Sequence, residues 1–186
     1  MVEMNRDEAL ALLKENLKQV NMVKHCLAVE AIMRACAEEL DEDKKKWGLL
    51  GLIHDIDYEK TKDDLDKHTL LAEEILGDRA DEETIRAIKS HGFWYTGVEP
   101  QSSMEYVLVA ADSLSGLIIA MALILPSKKL ADVKPENIAK RYKEKDFARN
   151  CNRERIAYCE KAGISLERFF EISLEALQGI SEELEL

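Results

Sequence analysis

SMEYVLVAADSLSGLIIAMALIL, residues 103–125, decides the fold. The stretch is apolar on most sides, and a helix of that kind is buried rather than half-solvated. Pro126 follows and stops it, because proline lacks the N–H that a continuing helix needs. The longest apolar run, Leu114–Leu125, is twelve residues, short of the roughly 20 that a bilayer span requires. It therefore reads as the central helix of a bundle. Asp112 interrupts it. A carboxylate in a core helix is costly unless it is paired, protonated or bound to a metal.

Outward from this helix the helical period persists. Leu10, Leu13, Leu17 and Val20 form one face of a first helix. A second is expected over 21–40, with Val23, Leu27, Ile32 and Cys36 inward. Asp41–Asp43 caps a third, 43–56. A fourth starts near Asp66 and stops at Gly77, a residue suited to a left-handed C-cap. Asp81 caps a fifth that ends near His91, and GFWYTGVEPQ, residues 92–101, reads as an aromatic loop. Pro135 opens a seventh helix. Two more follow, 149–162 and 165–180, with Ser165 as the cap of the last. No segment alternates with period two for long enough to be a strand, and the 8 Gly and 3 Pro argue against a turn-dense β fold. The fold class expected is all-α, a single-domain helical bundle.

Composition agrees. A chain of 186 residues with 46% hydrophobic and 34% charged residues fits one globular domain that needs no disulfide. The cysteines Cys26, Cys36, Cys151 and Cys159 form no C-x-x-C pair, which argues against zinc fingers and thioredoxin-type redox chemistry. Reduced, packed thiols and early acids (Glu3, Asp7, Glu8) without an apolar leader predict a cytoplasmic protein with no membrane partner. The net charge of −11 disfavours nucleic acid. Charge is uneven, however. Residues 126–155 hold ten basic and five acidic side chains, a net of +5, leaving −16 on the remainder. That segment is either a solvated helix face or a local anion site.

The chain has four histidines, His25, His54, His68 and His91, each on or near the end of an expected helix. His54 precedes Asp55 directly, after the apolar Leu49-Leu50-Gly51-Leu52-Ile53. Imidazole and carboxylate are the usual ligands of divalent iron, manganese, zinc or cobalt. Gly48 and Gly51 leave room for another helix to approach.

The order His25, His54-Asp55, Asp112 resembles the HD-domain superfamily of metal-dependent phosphohydrolases, whose signature is H…HD…D. Leu52-Ile53-His54-Asp55-Ile56 matches its naming motif, and the likeness covers residues 20–125, with 126–186 as a helical extension packed on that core. His68 and His91 fall where binuclear members carry two further histidines. The resemblance implies that His25, His54, Asp55 and Asp112 hold one metal. It implies that His68 and His91 complete a second, with Asp55 bridging and acting catalytically. The cofactor would be one or two divalent ions (Fe, Mn, Zn, Co or Ni, with Mg also allowed). In the HDIG subgroup a glycine stands where this chain has Asp57, whose expected role is capping or turn formation. Residues around Pro126–Lys129 and Phe147–Arg149 resemble HD proteins with no assigned substrate.

The function this implies is hydrolysis of a phosphoester or phosphoanhydride in a small phosphorylated compound, most plausibly a nucleotide, by a metal-activated hydroxide. Phosphoryl oxygens need cationic partners, for which Lys89, Lys128, Lys129, Arg149 and Arg153 are the candidates. Trp94 and Tyr95 could stack on a nucleobase or merely anchor their loop. Two other readings stay open: a metal- or nucleotide-binding regulatory module, and a di-iron oxygenase on the same ligands. A homodimer is compatible with the sequence.

Overall fold

A computed structural model describes residues 4–186; Glu3, counted above among the early acids, lies outside them. The described residues are helical with no β-strand. The elements are α1 (Arg6–Asn16), α2 (Val20–Glu39), α3 (Lys44–Ile53), α4 (Tyr58–Thr61), α5 (Leu70–Leu76), α6 (Glu82–His91), α7 (Phe93–Thr96), α8 (Ser103–Ile124), α9 (Pro135–Lys143), α10 (Arg153–Ile156), α11 (Leu166–Gln178) and α12 (Ser181–Leu184).

The helix signals act as local chemistry dictates. Asn5 and Glu8 close a capping box on α1, and Ser102 and Glu105 close another on α8. Asp43 accepts from the Lys45 and Lys46 amides at the start of α3, and Pro135 occupies the first turn of α9. Gly77 takes φ +52° at the end of α5.

The central helix α8 is longer as an apolar element than the run from Leu114 suggests. Its 22 residues are enough, by length and composition, to cross a membrane, yet 67% of its most apolar window is buried inside the fold. It packs against α2, α6, α10 and α11. α2 and α3 make the closest helix pair, because Gly51 lies against the backbone of Val29 and Glu30.

Several expected boundaries move. α1 stops at Asn16; Leu17 is buried in extended backbone, and Val20 is 64% exposed at the start of α2. The reason is a carboxylate: Glu59 accepts from the amides of Lys18 and Gln19 at 2.7 and 2.5 Å and ties down the extended connection there. The third helix ends at Ile53, and His54–Asp57 form a turn. The fourth is split into a 3-10 turn, Leu65–Lys67, and α5, with Thr69 between them at φ +70°. The aromatic loop contains α7. The segment 149–162 holds only the short α10 and a 3-10 run, Ala157–Ala162.

Candidate metal centre

Five segments deliver the six predicted donors to one place. His25 comes from α2, His54 and Asp55 from the turn after α3, His68 from the stretch before α5, His91 from the last position of α6, and Asp112 from the middle of α8. Asp55 stands at the centre. Its Oδ2 faces His25 Nε2 at 3.6 Å and His54 Nε2 at 3.5 Å. Its Oδ1 faces His68 Nε2 at 3.2 Å and His91 Nε2 at 3.4 Å. Asp112 Oδ1 adds separations of 3.1 Å to His25 and 3.8 Å to His54. Two donor groups result: His25, His54, Asp55 and Asp112; and Asp55, His68 and His91.

The spacings suit metal ions. Ligand bonds of about 2.1 Å put neighbouring donors roughly 3.0–3.4 Å apart around an ion. Buried His54 Nε2 and Asp55 Oδ1 have no hydrogen-bond partner among the described residues, and such orphaned atoms need a function. The cluster is therefore able to hold a divalent metal.

Each imidazole is aimed by its other nitrogen. His54 Nδ1 lies 2.8 Å from the Gly51 carbonyl and His91 Nδ1 3.1 Å from the Ile88 carbonyl, both three residues back on their own turns. His25 Nδ1 meets Ser115 Oγ at 3.3 Å, and that hydroxyl donates to the Asp112 backbone carbonyl at 2.9 Å. His68 Nδ1 meets Asp57 Oδ1 at 3.0 Å. When each Nδ1–H donates outward, loss of the Nε2 protons leaves lone pairs pointing into the cluster, the tautomer that metal ligation requires.

Burial and charge oppose each other here. Burial disfavours ionised Asp55, but His54, His68 and His91 outweigh it and hold the carboxyl well below its usual range. Asp112 is likewise lowered against burial by His25 and His54. Burial disfavours a charged His68, yet Asp55 and Asp57 raise it to about 10; His54 also moves up, against burial, beside Asp55 and Asp112. Burial and the same two aspartates push the Cys26 thiol far up, and Cys26 belongs to neither donor group. The centre opens on one side. His25 and Asp112 keep 19% and 21% side-chain exposure, against 0–7% for the other four donors.

A model of the HD domain family matches residues 22–117. The chain belongs to the HD domain family. HD domains are in general metal-dependent phosphohydrolases that bind divalent ions. The chain is also 30% identical over 97 residues to Ribonuclease Y of Oleidesulfovibrio alaskensis. That match covers 52% of this chain and 18% of the relative, so the chain corresponds to a minor part of that protein. No solved structure matches.

The predicted cations fare differently from the donors. Arg153 donates to the carbonyls of Arg141, Tyr142, Glu144, Phe147, Ala148 and Cys151. Its guanidinium staples the chain after α9 and is not free for substrate. Arg149 is 76% exposed and pairs with Asp146. Lys89 pairs with Glu73. Lys128 and Lys129 follow the end of α8, whose last residue is twelve positions past Asp112, a rise of roughly 18 Å. None of these five contacts the donors through a hydrogen bond or ion pair among the described residues.

Asp57 is not a cap. It is fully buried, makes no capping bond and orients His68; its position two residues from Asp55 was the available signal. Ser115, one turn from Asp112, could have been suspected on the same ground. Phe93 packs on Tyr158, and Trp94 meets His91 edge-on at 6.5 Å, so the two rings anchor their loop. Tyr95 is 40% exposed. Nothing in the sequence singled out Arg155, which lies over the Trp94 ring.

Proposed function

We propose that this protein is a metal-dependent phosphohydrolase that cleaves a phosphoester or phosphoanhydride in a small phosphorylated compound, a nucleotide being the leading class. The observation that carries the reading is Asp55, whose two oxygens each face a separate set of imidazoles. The six donors would be the ligands of two divalent ions, with Asp55 between them. When bound, such ions act as Lewis acids that activate water and neutralise phosphoryl oxygens.

The chain's own residues do the rest. The Nδ1 contacts of the four histidines fix ring orientation before any substrate arrives. Asp55, held ionised by its imidazole neighbours, keeps a carboxylate available to orient the attacking water. The exposed edges of His25 and Asp112 mark the side from which a substrate enters.

Ribonuclease Y is by its name an enzyme of RNA, whose phosphodiester is the same class of bond. The −11 charge favours a small substrate over a long polyanion. The test is a panel of phosphorylated compounds incubated with protein supplied with manganese, iron or cobalt, and compared with Asp55→Asn. Chelator-sensitive release of phosphate or alcohol that Asp55→Asn lacks is expected. Equal release by both proteins, or none from any compound, would overturn the reading and leave a binding module.

A further inference from the structure

Of the ten basic residues in 126–155, the structure leaves one guanidinium at the open side of the metal centre. Arg155 is half-buried in α10. Asn152 caps that helix by accepting from the amides of Glu154 and Arg155, which fixes where the side chain starts. The guanidinium carbon lies 3.1 Å from the centroid of the Trp94 ring, and Trp94 in turn meets His91 edge-on. Burial lowers the pKa of this arginine, while Asp112, Tyr95 and Tyr158 are the facing groups that oppose the loss. Among the described residues no carboxylate oxygen comes within 4.0 Å of its nitrogens and its side chain donates no hydrogen bond.

This is an unusual state for an arginine. The planar head has one face on an indole, an arrangement that orders it without using its in-plane N–H donors. Those donors are the geometry that grips a phosphate bidentately. Other arginines of the segment have partners: Arg141 pairs with Glu144, Arg149 with Asp146, and Arg153 with backbone carbonyls. α10, which carries Arg155, packs on α8, which carries Asp112, the more open of the two ligand carboxylates, and no ion pair joins the two side chains among the described residues.

We infer that Arg155, held flat on Trp94, is the anion arm of the metal centre and binds the non-bridging oxygens of a substrate phosphoryl group. The inference rests on the metal-centre reading and assigns the phosphate-binding role that the sequence had distributed among Lys89, Lys128, Lys129, Arg149 and Arg153. A terminal phosphate, which carries two charges and several free oxygens, fits a site made of cations on one side and one guanidinium on the other.

The experiment titrates inorganic phosphate into manganese-loaded protein, read by calorimetry and by indole fluorescence. Trp94 should report binding, whereas Trp47 is buried in the core at 3% exposure. Arg155→Ala should weaken phosphate binding by about tenfold to a hundredfold, the value of one or two charge-assisted hydrogen bonds, with metal content unchanged. Arg155→Lys should recover part of the affinity but not the fluorescence response. Arg149→Ala should behave as the wild type. Phosphate binding that Arg155→Ala leaves intact, no binding by wild type at millimolar phosphate, or loss of metal from both Arg155 variants would each overturn the inference. Arg155-dependent phosphate binding without turnover of any phosphorylated compound would instead overturn the hydrolase reading alone.

Discussion

The two halves of the donor cluster are built differently. His25, His54 and Asp112 come from α2, the end of α3 and α8, a set that packs helix on helix through a glycine contact. His68 comes from an irregular stretch in which Thr69, a β-branched residue, is held at φ +70° with its buried hydroxyl unpartnered among the described residues. Such backbone costs on the order of 1–3 kcal/mol and persists only where its surroundings fix it. The orienting contacts set His68 apart from the other three rings. Neutral acceptors aim His25, His54 and His91, whereas His68 alone has a carboxylate, Asp57. The ring that comes from the irregular stretch is thus aimed by a carboxylate eleven positions away.

The largest expected effect removes the residue common to both halves. Asp55→Ala should strip nearly all transition metal from protein reconstituted with manganese or iron, as measured by elemental analysis. Retention of a full equivalent would show that one half stands without it. His68→Ala should separate the halves, losing about one metal equivalent and keeping the other; loss of all metal would mean that they bind as a unit. Asp57→Asn keeps the shape but weakens the acceptor, so the second equivalent should bind about 10–100-fold more weakly, by competition with a chromophoric chelator, while the first is unchanged.

The smallest effect is on stability. Folded His54 and His68 have raised pKa values, His68 to about 10. Their charged forms therefore contribute stability that is fully present below the unfolded value of about 6.5 and lost as pH climbs through the folded value. Chelator-treated protein should become less stable to urea between pH 6.5 and 10, and His68→Ala should flatten that slope. Metal binding, which displaces those protons, should strengthen over the same range. Stability of chelated protein that rises with pH would contradict the charge arrangement.

Much of this was legible in the sequence. The long helices α2, α8 and α11 follow from apolar periodicity, with Ser165 capping the last, and the six donors from the resemblance to the H…HD…D signature. What was hidden has one physical cause: side-chain contacts between distant segments. Glu59 ends α1 from 41 positions beyond Lys18, and no local propensity encodes that. Ten basic residues look alike as a list, yet Arg153 disappears into carbonyls while Arg155 comes to rest on an indole ring. Asp57 closes a turn as its position suggests, but its contact with His68 spans eleven positions and was not legible.

Gly51 carries a last consequence. An added Cβ would sit 2.9 Å from the Val29 carbonyl oxygen and 3.0 Å from the Glu30 backbone. One extra carbon would thus wedge two helices apart and shift the turn that carries His54, whose Nδ1 rests on the Gly51 carbonyl, without altering any donor. The meeting of the six donors depends on a missing methyl group.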